Sequence, residues 1–150
     1  MSGLRRTLIA GALAAAALAA TAGSAAAAAN PYTPVQICGP SYSVAQSTPL
    51  MSNHGGNQLG QVYLLYSLET GKSCGVTLKV RQIGVSSFTS VSIARYAKTP
   101  NWKNDGDYYQ YYAGPRYVDG VPSCVRVGGY MKIPQGREGI YVEPAWERCP

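Results

Sequence analysis

The chain has 150 residues, of which 13% are charged, and carries a formal net charge of +6. Its basic residues are scattered and form no stripe or run, which argues against a nucleic-acid partner. Twelve tyrosines stand against one phenylalanine, a ratio that points to polar-tipped rings at sheet edges or on open faces rather than to a purely apolar core.

The first stretch reads as an export signal and not as part of the fold. Arg5 and Arg6 precede an apolar run from Leu8 to Ala20, and Thr21, Gly23, Ser24 and alanines ending at Ala29 follow. That order of basic, apolar and small residues predicts a secretory signal peptide over 1–29. The apolar run falls short of the roughly 20 strongly apolar residues a membrane span needs, so no membrane contact is expected after cleavage. A single domain is then expected over 30–150, with 11 basic residues against 7 acids and a net charge of +4. A chain of that length buries about two thirds of its unfolded surface, enough for a core. The mild charge is consistent with weak attraction to anionic wall polymers.

Cys38, Cys74, Cys124 and Cys149 make an even count in an exported chain, which implies two disulfides. Zinc is the competing use, but no CxxC pair exists and His54 is the only histidine. Three connectivities are open; Cys38–Cys74 with Cys124–Cys149 is preferred because each pair closes a local loop.

In chain order, Asn30-Pro31-Tyr32-Thr33-Pro34 reads as a stiff extended entry, since its two prolines disfavour helix, and Val35 to Cys38 as a tie to the sheet. Ser41 to Ser47 alternates weakly and predicts an edge strand, and the Gly- and Asn-rich stretch from Thr48 to Gly60 a loop. The clearest signal is a hairpin, Val62 to Leu68 and Cys74 to Val80 around Glu69-Thr70-Gly71-Lys72-Ser73. In its second arm Val76, Leu78 and Val80 alternate with Thr77, Lys79 and Arg81, as in a half-buried strand with Cys74 facing the core and Lys79 facing out. Ser86 to Ala97 predicts a further strand, Thr99 to Asp107 a polar turn, and Tyr108 to Ala113 a strand. A turn at Asp119-Gly120 leads to a strand from Cys124 to Met131, with a bulge or close approach at Gly128-Gly129, and Gly139 to Glu143 is a last short strand. No window of ten or more residues from residue 30 onward shows a capped helical period. The expected class is all-β, a small antiparallel β-sandwich or barrel with two disulfides.

Catalytic constellations are weak. His54 lies in a glycine-flanked loop with no motif around any serine. Glu69, Glu138, Glu143 and Glu147 are the acids a glycoside hydrolase would need to pair, yet they read as surface charge. Asn104-Asp105-Gly106-Asp107 lacks the spacing of a calcium loop. No catalytic residue, metal site or cofactor is expected. The tyrosine run Tyr108-Tyr109-Gln110-Tyr111-Tyr112 is more informative. As one strand it would place Tyr109 and Tyr111 on one face and Tyr108 and Tyr112 on the other, and with Trp102 these rings are candidates to stack on sugars or on a protein.

Several pieces in order resemble the spore-associated protein A family of secreted actinomycete proteins. They are Asn30-Pro31-Tyr32-Thr33-Pro34 leading to Cys38-Gly39; Val62-Tyr63-Leu64-Leu65-Tyr66 with Thr70-Gly71-Lys72 and Cys74; Tyr111-Tyr112-Ala113-Gly114-Pro115; and Cys124 with Gly128-Gly129. The similarity spans most of residues 30–150 and is weakest from Arg81 to Lys103. It implies a small secreted protein of the spore or aerial-hypha surface, and it supplies no catalytic residues. The expected partner is a cell-wall or spore-wall polymer, or a secreted or surface protein. The rival expectation is an inhibitor presenting Thr99 to Asp107 to a target.

Overall fold

The computed structural model describes residues 29–53 and 56–133 and the backbone of 137–138. The expected signal segment up to residue 28, His54, the Gly139–Glu143 strand, Glu143, Trp146, Glu147 and Cys149 lie outside the described residues.

A five-residue helix opens the fold, α1 (Pro34–Cys38). The extended reading of this stretch is corrected: proline is disfavoured inside a helix but favoured at its first position, where no N–H is needed. Thr33 and Gln36 complete a capping box, the Gln36 amide N–H donating to Thr33 Oγ1 (3.2 Å) and the Thr33 N–H to Gln36 Oε1 (2.8 Å).

Eight strands follow among the described residues: β1 (Ser43–Met51), β2 (Gln58–Ser67), β3 (Lys72–Lys79), β4 (Ser87–Arg95), β5 (Lys103–Tyr109), β6 (Tyr112–Asp119), β7 (Val125–Ile133) and β8 (Arg137–Glu138). All neighbouring pairs are antiparallel. They form two open four-stranded sheets, ordered β1-β2-β3-β6 and β5-β4-β7-β8, so the sandwich alternative holds and the closed barrel does not. Leu50, Val62 and Leu64 from one sheet meet Val91, Ile93, Val127 and Met131 from the other. Each large apolar side chain removed from water there contributes ~1.5–3 kcal/mol before entropy is counted.

Three expected boundaries move. The Thr48–Gly60 loop is shorter, because Thr48 to Met51 continue β1; Pro49 is tolerated there since β1 is an edge strand paired only with β2. The turn expected from Thr99 to Asp107 is half strand, because Lys103 onward pairs with β4. The tyrosine run is not one strand: β5 ends at Tyr109 and β6 begins at Tyr112, so a tight turn that carries the chain from one sheet to the other falls at Gln110-Tyr111.

The β2–β3 hairpin forms as expected, and its register sets Leu65 opposite Cys74 and Val62 opposite Thr77. Gly71 closes its loop at φ 66°, donating its N–H to the Ser67 carbonyl (2.9 Å). β3, however, is buried on both faces. Cys74, Val76 and Leu78 point away from the sandwich interior into a second small core, roofed by Val35, Ile37 and Tyr42. Thr77 and Lys79, expected on a solvent face, lie fully buried on the other side.

Lys79 is the sharpest correction. Its Nζ donates to the Val85 carbonyl (2.6 Å), Ser87 Oγ (2.7 Å) and the Tyr109 carbonyl (3.3 Å), three acceptors for three donors. Burial lowers its pKa from 10.5 to about 8. The unfolded chain therefore holds this proton more tightly than the folded one, so stability is expected to rise with pH between about 8 and 10.5. The slope is at most ~1.4 kcal/mol per pH unit. Urea midpoints of the wild type and Lys79→Met, compared from pH 7.5 to 10, check this: the wild type should gain on the variant, and parallel curves would refute it.

Candidate functional site

The β5–β6 turn carries most of the tyrosines that the sequence singles out, and the N-terminal segment adds one that it does not. Asn30 makes this possible. Its side-chain Nδ2 donates to the carbonyls of Lys79 (3.0 Å) and Tyr111 (2.8 Å), and its Oδ1 accepts the Tyr32 N–H (3.1 Å). The entry segment is thereby fixed against the end of β3. Tyr32 then stacks edge-on against Tyr111 (ring centroids 5.4 Å apart) and Tyr112 (5.0 Å).

The result is a groove of about 360 Å³ lined by Tyr32, Tyr108, Tyr109, Tyr111 and Tyr112, with Gln110 and Gly114. Tyr108 is 69% exposed and Tyr32 41%, while Tyr109 packs against the main core and Tyr112 against the outer one. Tyr108 is steadied by Phe88 behind it (5.9 Å). Open rings on one side are therefore backed by anchored rings on the other.

The floor of the groove is tied down by polar contacts. Asp105 accepts from the Gly114 N–H (2.6 Å), the Tyr109 hydroxyl (3.0 Å) and Arg116 (2.9 Å), which pins β5 to β6. Burial first, and then the hydrogen bond to Asp105, raise the Tyr109 phenol above its ordinary pKa, so it remains a neutral donor. Lys79 holds the turn from below: its N–H donates to the Tyr111 carbonyl (2.9 Å) and its Nζ to that of Tyr109. Each connection leaves the turn fewer alternative conformations, and a preorganised aromatic site loses less entropy on binding.

Trp102 does not join this cluster. It precedes Lys103 at the far end of β5, roughly 20 Å of strand away from Tyr109. Tyr32 was missed because it lies 76 or more residues before the run it stacks on, with nothing in its local pattern to mark the pairing.

No assembled catalytic group appears among the described residues. Glu69 is exposed in the β2–β3 loop, and Glu138 falls in β8. Asn104 to Asp107 lie within β5, and the described residues contain no cluster of three or more metal-ligating side chains. Cys38 and Cys74 form a disulfide with Cα atoms 6.1 Å apart. Cys124 is not a free thiol, and its expected partner Cys149 lies outside the described residues.

Comparison with known proteins finds one curated relative of significant similarity, spore-associated protein A of Streptomyces coelicolor (strain A3(2)), 34% identical over 95 residues. Over that stretch the chain is similar to spore-associated protein A. The matched stretch is 63% of this chain and 56% of the relative, so the chain spans little more than half of that protein's length. No family model matches, and no solved structure matches.

Proposed function

We propose that the chain is a non-enzymatic protein of the spore or cell exterior, adhering to wall carbohydrate through the tyrosine groove. The relative's name supports the spore association. The observation that carries the adhesion reading is the groove itself: four tyrosines around one anchored turn and Tyr32 stacked on them, with Tyr108 and Tyr32 open to solvent. A flat apolar ring with a hydroxyl at its tip suits a sugar, whose axial C–H faces stack while its hydroxyls hydrogen-bond. The inhibitor reading loses its presenting loop, since half of Thr99 to Asp107 is paired strand.

Co-sedimentation of the oxidised protein with purified spore and hyphal walls, across a salt series, tests the reading. Retention should persist beyond the ionic strength that screens surface charge. Tyr108→Ala and Tyr111→Ala should each weaken it about fivefold, the worth of ~1 kcal/mol of ring contact. Unchanged retention in both variants would sink the proposal. Retention lost already at modest salt would leave charge as its only cause.

A further inference from the structure

A second cleft, of about 240 Å³, opens at the other end of β5, and we propose that it binds the phosphate groups of an anionic, phosphodiester-linked wall polymer. The register of β4 on β5 builds it. Ile93 lies opposite Lys103, so both project from the same face, and Ile93 is fully buried in the main core. Arg95, two residues on from Ile93, continues that face past the end of the core. Arg95 and Lys103 thus emerge side by side where the interior of the sandwich reaches solvent. Thr99 and Asn101 complete the lining with a hydroxyl and an amide.

The charge is unbalanced. From Arg95 to Lys103 the chain has three cations, with Lys98, and no acid. Two cations elsewhere on the molecule are occupied: Arg116 pairs with Asp105 and Lys79 is buried on three acceptors. Among the described residues Arg95, Lys98 and Lys103 have no carboxylate partner. One acid does line the cleft, Asp119, and its carboxylate lies 4.0 Å from Lys72, which shares its charge.

The donor set fits phosphate. An arginine fork, a lysine point charge and two neutral polar groups match tetrahedral oxygens that take several donors at once. The cleft is shallow and solvent-filled, so one phosphate alone would be held weakly. A repeating polymer gains by presenting many phosphates to one cleft, and Lys98 in the 96–102 loop extends the positive line. The export signal expected at 1–29 places the chain where phosphodiester wall polymers are the abundant polyanions. The cleft does not depend on the tyrosine groove.

The test is a titration of the oxidised protein with synthetic poly(glycerol phosphate), followed by amide NMR shifts, with dextran as the neutral control. Shifts should centre on residues 95–103 and 119, and dextran should move none of them. Arg95→Gln/Lys103→Gln should weaken binding about tenfold or more, the loss of two charge-assisted contacts. Lys132→Gln removes a charge near the opposite end of β7, since Arg95 pairs with Val125 and Thr89 with Met131, and should cost less than about twofold. Tyr108→Ala should leave this binding unchanged, so the two sites can fail separately. Equal losses in the double variant and Lys132→Gln would reduce the effect to net charge and overturn the proposal. Shifts centred on the tyrosine groove, or no shifts at all, would overturn it as well.

Discussion

Gly129→Ala is expected to destabilise the protein by about 3 kcal/mol or more, the upper range for overpacking a filled core. Gly129 lies in β7 opposite Val91, and its face looks across the sandwich at β2 and β3. A Cβ placed on it would sit 2.5 Å from both Thr77 Oγ1 and Val62 Cγ2. Neither neighbour has room to retreat, because Thr77 is fully buried and Val62 is 2% exposed. The two sheets are therefore held at a separation that only a glycine permits here. Urea unfolding of the variant measures the loss, and a midpoint within ~0.5 kcal/mol of the wild type would refute the argument. Thr77 supplies an internal check. Its buried hydroxyl finds no hydrogen-bond partner among the described residues, so Thr77→Ala removes an unsatisfied group and should cost little by itself. In the Gly129→Ala background the same change clears one of the two clashes, and the double variant should recover part of the loss. Simple additivity of the two single effects would show that the clash is not where the geometry puts it.

The contrast between β3 and the tyrosine turn shows what local pattern can carry. Alternation from Cys74 to Val80 and the glycine turn before it located the strand and its partner, because both follow from period two and a short loop. Alternation cannot say what lies over each face. Lys79 read as solvent-facing from the alternation, as expected for an ammonium ion, which is rarely buried; three acceptors gathered from Val85, Ser87 and Tyr109 overrode that rule, and two of them are backbone carbonyls, one in the loop before β4 and one at the end of β5. The tyrosine run misled differently. Gln110 and Tyr111 have none of the Gly, Pro, Asn or Asp character of a turn, so five strand-forming residues read as one strand. What breaks the run is tertiary: the Gly84 N–H donates to the Gln110 carbonyl (3.0 Å), and Asn30 and Lys79 both bond the Tyr111 carbonyl. At α1 the Thr33–Gln36 capping spacing was present in the sequence, and the neighbouring prolines outweighed it wrongly.

The Cys38→Ala/Cys74→Ala variant is expected to lose roughly 4 kcal/mol, the chain-entropy value for a bridge spanning 36 residues. The pair is chosen in preference to chemical reduction because Cys124 is not a free thiol either, and a reductant would not act on one bridge alone. The structural consequence should be local before it is global. α1 is five residues long and is too short to persist by itself in water. Its hold on the sheet rests on the disulfide, on the Tyr117 hydroxyl donating to the Cys38 carbonyl (2.9 Å), and on Val35, Ile37 and Tyr42 over Val76 and Leu78. Without the bridge, the Ile37 and Gly39 amides, bonded to Thr33 and Val35, should exchange with solvent well before those of β4 and β7. Tyr32 lies one residue before the helix cap, so a loosened α1 transmits disorder to the tyrosine groove, and wall retention should fall with it. Amide exchange and co-sedimentation of the same variant separate the possibilities. Fast α1 exchange with retention intact would mean that Asn30 alone seats Tyr32. Unchanged exchange at Ile37 and Gly39 would show that apolar packing, and not the disulfide, holds the helix in place.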